Sequence, residues 1–107
     1  MSPAALGGRK VESHRATTAR RLRDLAGVGP AIEADLRSLN VQSVAELAGC
    51  DGDELYHRLC DQTGTRQDPC VLDTLRCAVA QARDPRLPQE QCNWWWWSRQ
   101  RKQANLP

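Results

Sequence analysis

An all-α fold of about five helices is expected for this 107-residue chain. Three observations point there. No run alternates apolar and polar residues with the period of two that a half-buried strand needs, and β-branched residues never cluster. Capping residues stand in front of stretches whose apolar positions recur every three or four residues. Gly, Asn or Pro closes those stretches. The helices are expected as two pairs, each closed by a hairpin, the second degenerate, joined by a short connector helix.

Residues 1–16 mix Ser, Pro, Gly and scattered charge without an apolar period, and read as a flexible basic arm. Thr17 or Thr18 caps a first helix reaching Ala26, with Leu22 and Leu25 on one face. Gly27-Val28-Gly29-Pro30 makes the turn, and Pro30 suits the first position of the next helix, where its missing N–H has no partner to lose. Ile32, Leu36 and Leu39 recur at helical spacing as far as Asn40, a left-handed stop. Ser43 and Glu46 form a capping box for a very short helix ending near Gly49. Asp51 and Glu54 repeat that signal for a helix over 52–63, with Cys50 and Leu55 as a staple and Gly64 as the stop. Asp68 caps a last helix that opens at Pro69 and reaches Arg83, ended by Asp84-Pro85. The folded domain is expected over 17–97 with a Trp-rich closing segment, and 98–107 as a basic tail.

Charged residues make up 26% and hydrophobic ones 40%, which excludes a chain disordered throughout. The length leaves no room for a large enzyme with its own cofactor fold. No apolar stretch approaches the ~20 residues of a membrane helix, and no apolar segment follows the N-terminal bases as a secretion signal requires. Five cysteines without regular spacing suit reduced thiols, so a cytoplasmic location is expected. The net charge of +2 conceals a segregation. Residues 1–23 hold six bases and one acid, 98–107 hold three bases, and 24–97 therefore carry −6. The basic ends are either solvated or arms that grip phosphate.

The stretch Leu22-x-x-Leu25-x-Gly27-Val28-Gly29-Pro30 carries the most chemistry. Two glycines around one apolar residue let the backbone turn sharply and expose successive N–H groups beside a helix start, an arrangement that holds a phosphate oxygen without reading a base. With its flanking leucines in register, the segment resembles a helix-hairpin-helix motif, which implies contact with DNA backbone from the minor-groove side. The candidate DNA-binding residues are Gly27, Val28, Gly29 and Pro30, with Arg20, Arg21, Arg37 and Arg66 as the bases around the two hairpins. The alternative is a turn that only packs two helices.

The second hairpin, Thr63-Gly64-Thr65-Arg66-Gln67, keeps one glycine. Glu54-Leu55-Tyr56-x-Arg58-Leu59-Cys60, then Thr63-Gly64-x-x-Gln67-Asp68-x-Cys70-Val71-Leu72, then Arg76-Cys77-Ala78-Val79 and a closing tryptophan run follow in order. Over roughly 20–97 this pattern resembles a small bacterial helix-hairpin-helix family catalogued under pathogenicity-locus or mitomycin-resistance names. The resemblance implies two helix-hairpin-helix units and association with DNA, with no firmly assigned reaction. Asp73 and Leu75 stand where relatives are expected to carry aromatics.

On the 69–83 helix, Val71, Leu75, Ala78 and Ala82 form the main apolar face, and Cys70, Thr74, Cys77 and Gln81 another. Cys60, Cys70, Cys77 and His57 invite a zinc reading, but no Cys-x-x-Cys pair exists, and positions seven apart on a helix separate two sulfurs by about 10 Å. No metal and no cofactor is expected; the cysteines read as small hydrophobes. Cys70, in the first turn of a helix where a thiolate is favoured, is the redox candidate. Trp94, Trp95, Trp96 and Trp97 cannot all face one way in any regular conformation. The segment either folds back over the Cys70/Cys77 face or presents an aromatic platform to unpaired bases, helped by Arg99, Arg101 and Lys102, and both can hold together.

The functional expectation is a non-enzymatic DNA-associated module that contacts phosphate backbone with little sequence specificity. The alternative is a protein-interaction adaptor in DNA metabolism that uses an exposed tryptophan and the acidic surface. No nucleophile or acid–base pair supports an enzyme, because His57 is the one histidine expected in ordered chain and His14 falls in the arm. No membrane and no small-molecule substrate is expected as a partner.

Overall fold

The computed structural model describes residues 20–104, and among them every regular element is helical. A 3-10 turn at Leu22–Asp24 leads into α1 (Pro30–Ser38); α2 (Val44–Ala48), α3 (Gly52–Thr63) and α4 (Pro69–Arg83) follow. A second 3-10 turn at Gln89–Cys92 precedes α5 (Trp94–Ala104). The count of five α-helices is as expected, but the membership differs at both ends.

At the front, the arm over 1–16, His14 within it, and the caps Thr17 and Thr18 lie outside the described residues. Inside them, the helix expected to reach Ala26 is reduced to the 3-10 turn. Leu25 is already extended (φ −79°, ψ 137°), and the Gln81 side chain takes both polar groups of Ala26. The Ala26 N–H donates to Gln81 Oε1 at 3.0 Å, and Gln81 Nε2 donates to the Ala26 carbonyl at 2.9 Å. A residue bonded in this way is lost to an i→i−4 ladder.

The middle follows the sequence signals. Pro30 opens α1, and Asn40 stops the chain behind it at φ 67°. The Ser43 hydroxyl accepts the Glu46 N–H at 3.1 Å, and the Glu46 carboxylate reaches back to the Gln42 N–H at 2.6 Å. Asp51 accepts the Asp53 N–H at the start of α3, and Gly64 ends that helix in the left-handed region. α4 is the central helix, with α2, α3 and α5 packed around it. At the closest approach of α3 to α4, a Cβ on Gly52 would lie 2.9 Å from Arg76 Cα, so only glycine fits. Leu22, Leu36, Leu47, Leu55, Leu59 and Leu75 are essentially fully enclosed. Each contributes about 1.5–3 kcal/mol by leaving water.

The back of the chain corrects the expected boundary at 97/98. Residues 98–104 continue α5 instead of forming a tail. Ser98 is buried, and Arg101 grips Asp73 of α4 with two hydrogen bonds of 3.0 Å. Asp73 has no exposed surface. Where an aromatic was expected, the fold has a buried carboxylate whose counter-charge comes from 28 residues further along the chain.

Candidate nucleic-acid interface

Gly27 takes φ +86°, a conformation that favours glycine, and turns the chain so that Val28 packs into the core. The Val28 N–H closes the turn on the Leu25 carbonyl at 3.1 Å. Gly29 is extended and enters α1 without a side-chain cap, so the first-turn amides of α1 receive no side-chain acceptor among the described residues. The helix dipole adds partial positive charge at that end.

A cleft of about 320 Å³ is lined by Glu33 from the first turn of α1 and Arg37 from its last, with Arg21 and Arg23. Glu33 accepts from Arg37 at 3.1 Å and from Arg23 at 3.2 Å. These two guanidiniums, Arg37 foremost, hold the Glu33 carboxyl below the usual carboxylate range. Arg37 also donates to Gln42 Oε1 at 2.7 Å, and Arg21 lies 3.9 Å from Asp24. The cleft therefore presents two guanidiniums on Glu33 and a third, Arg21, beside Asp24. Arg23 and Glu33 were not among the expected site residues; their i, i+10 separation across a turn leaves no periodic signal.

The other candidates divide. Gly27 and Pro30 are exposed, while Val28 offers its backbone only. Arg20 is withdrawn from any ligand: its guanidinium turns inward to the carbonyls of Gln81 (3.0 Å) and Ala82 (3.4 Å) near the end of α4. The C-terminal end of a helix, which carries partial negative charge, favours this placement, since the last carbonyls have no intrahelical donors. Arg66 is exposed in the second hairpin.

That second hairpin is closed on itself. The Tyr56 hydroxyl donates to the Gln67 carbonyl, and the Gln67 N–H donates to Cys60 Sγ at 3.3 Å. Asp68 accepts the Cys70 N–H at 2.8 Å, filling the α4 entrance with its own carboxylate. The same carboxylate pushes the exposed Cys70 thiol up, mainly through a hydrogen bond with it. The direction is opposite to the one expected from the helix terminus, because a full negative charge in contact outweighs half a dipole charge.

The tryptophans split into two pairs. Trp96 and Trp97 meet edge to face at 5.1 Å and are partly buried, and the Trp97 indole donates to the Gln91 carbonyl at 2.9 Å. Trp94 and Trp95 are each 42% exposed. The Arg99 guanidinium stacks 4.6 Å above the Trp95 ring and lies 3.5 Å from Glu90. The segment thus folds back over α4 near Cys77, whose Sγ lies 3.5 Å from the same Gln91 carbonyl. Its other two rings remain presented. Gln81, expected under the same cover, is capped by the Ala26 turn instead.

No cluster of three or more His, Cys, Asp or Glu side chains suited to a metal ion occurs among the described residues. His57 Nδ1 pairs with the Asp53 carbonyl at 2.8 Å, and burial pushes the Cys77 thiol up to about 11. A second cavity of about 320 Å³ lies between Asp51, Asp53, Arg76, Arg83 and Trp97. Its charges are already engaged: Arg76 grips Asp53 at 2.6 and 2.7 Å, and Arg83 donates to the Ala48 and Cys50 carbonyls. No helix among the described residues is long and apolar enough to cross a membrane.

Comparison with known proteins gives the chain its family. The family described as Pathogenicity locus matches residues 15–103. Mitomycin resistance protein McrB of Streptomyces lavendulae is 35% identical over 82 residues, covering 76% of this chain and 73% of that protein. No solved structure matches. An all-α chain matched over nearly all its described length by that family, and by a mitomycin-resistance relative, belongs to the pathogenicity-locus family.

Proposed function

We propose that this protein is a non-enzymatic DNA-associated module whose 27–30 hairpin works as a helix-hairpin-helix contact on phosphate backbone, with little sequence preference. The observation that carries this reading is an α1 entrance that no side chain caps, on the helix whose Glu33 and Arg37 line a cleft with Arg21 and Arg23. Backbone amides at a helix start and the guanidiniums of Arg21, Arg23 and Arg37 together suit successive phosphates of one strand. Such contacts position a duplex without reading its bases.

Duplex binding measured against salt concentration tests this. Gly29 has an extended backbone, and a Cβ there meets nothing within 4 Å, so Gly29→Val is compatible with the fold. Its branched side chain obstructs the helix entrance, and duplex affinity should fall about five-fold or more with helical circular dichroism unchanged. Replacing Arg23 and Arg37 together with Gln should flatten the salt slope by about two units if each contacts one phosphate. A folded Gly29→Val protein that binds duplex as well as the parent would remove the hairpin as the contact.

The second reading, an adaptor docking on a protein partner, is favoured by the exposure of Trp94 and Trp95. Against it stands the charge around those rings. Arg99 and Lys102 share the Trp95 side of α5, and the acid that reaches Arg99 there is Glu90.

A further inference from the structure

We infer that Trp94, Trp95 and Arg99 form a stacking site for unpaired nucleotides of the DNA that the hairpin holds, an inference that rests on the reading above. Trp95, Arg99 and Lys102 stand at i, i+4 and i+7 of α5, which places one aromatic and two cations along one side of the helix. Trp94 and Trp95 are each 42% exposed, with Arg99 over one face of the Trp95 ring, whereas Trp96 and Trp97 are half-buried and meet edge to face. An occupant of this stripe has to be flat and apolar on its face and negative at its edge. An unpaired nucleotide has both properties, and Arg99 over the Trp95 ring already shows the stacking geometry with a planar group in place.

The stripe is also tied to the hairpin. The Gln81 carboxamide bonds both polar groups of Ala26, and its Nε2 reaches Cys77 Sγ at 3.4 Å. Cys77 in turn approaches the Gln91 carbonyl, which accepts the Trp97 indole N–H. One polar chain along α4 thus runs from the turn that would hold paired backbone to the helix that presents the rings. A DNA carrying unpaired bases next to a duplex offers a ligand for each end of that chain.

Two probes test this: a blunt duplex, and the same duplex with a five-nucleotide dT overhang, with tryptophan fluorescence and anisotropy as readouts. The parent should bind the overhang duplex at least five-fold more tightly than the blunt one and show quenched fluorescence. Trp95→Ala should abolish that preference while blunt-duplex affinity stays unchanged, and Arg99→Gln should reduce it. Equal binding of both probes by the parent, or a preference that survives Trp95→Ala, would overturn the stacking site and leave the hairpin reading intact. Failure of blunt duplex to bind, with Trp95-dependent binding of the overhang probe, would overturn the hairpin reading and support the stacking site.

Discussion

At the first hairpin the chain enters α1 through Gly29, which has no side chain to offer its amides; at the second it enters α4 through Asp68, which caps them with a carboxylate. Near the first, Arg23 and Arg37 share Glu33, and Arg21 lies 3.9 Å from Asp24. Around the second, Tyr56 closes on Gln67, Gln67 on Cys60, and the buried Asp73 is matched by Arg101. Both places are helix entrances with the same fixed dipole, yet one leaves its positive end open and the other neutralises it internally. Of these two entrances, only the second has a carboxylate of its own in the way of an anion from outside. A glycine count alone would not show this, since what separates the two is the residue just before each helix.

The largest test of the contrast is at the closed end. Arg101→Met strips the counter-charge from fully enclosed Asp73, a change that costs about 3–5 kcal/mol. The melting midpoint should fall on the order of 15 °C or more in a domain of this size. Arg23→Met, in the open half, should shift melting by only a few degrees, because its ion pair is half exposed. Equal melting of the two variants would erase the distinction between the halves.

Next in size is an attempt to close the open end. Gly29→Asp gives α1 the cap that α4 has, which should stabilise the fold by a few tenths of a kcal/mol. The new carboxylate occupies the place proposed for a phosphate, and duplex affinity should drop about ten-fold at moderate salt. Retained affinity in an anisotropy titration would mean that phosphate binds elsewhere.

The smallest effect is expected from loosening the closed end. Asp68 raises the Cys70 thiol, so Asp68→Asn should lower its pKa and increase thiolate at any pH below it. Alkylation of Cys70 at neutral pH should then be a few-fold faster, with the rate profile displaced to lower pH. An unchanged profile would show that Asp68 does not control this thiol.

The middle of the fold was legible because Pro30 marks the start of α1, side-chain caps mark the starts of α2, α3 and α4, and each stop carries a Gly, Asn or Asp-Pro. The Ser43, Asp51 and Asp68 side chains all cap their helices, although Asp51 accepts the Asp53 N–H where a box with Glu54 was expected. α5 was hidden for a physical reason. Its inner face reads Trp97, Ser98 and Arg101, so two of those buried or half-buried positions are polar and break the apolar period. Asn93, directly before the helix, was the available signal. The first helix was overestimated because Leu22 and Leu25 have helical spacing, while the group that ends the helix early, Gln81, lies far away in sequence. In the candidate site, the glycine turn was readable, but the inward turn of Arg20 and the Glu33-centred cleft depend on tertiary placement that no local pattern encodes.

The bond pair between Gln81 and Ala26 spans 55 positions and has a consequence for how the hairpin can be handled as an object. The side chain imitates a peptide group, donating to the carbonyl and accepting from the amide of one residue. Glu, which differs by a single group, can accept but cannot donate. The shape of the turn is therefore written partly in a helix outside it. A peptide cut out over 20–40, or the same glycines grafted onto another scaffold, would carry the sequence of the turn without the clamp that holds its form, so the motif is not a transplantable part.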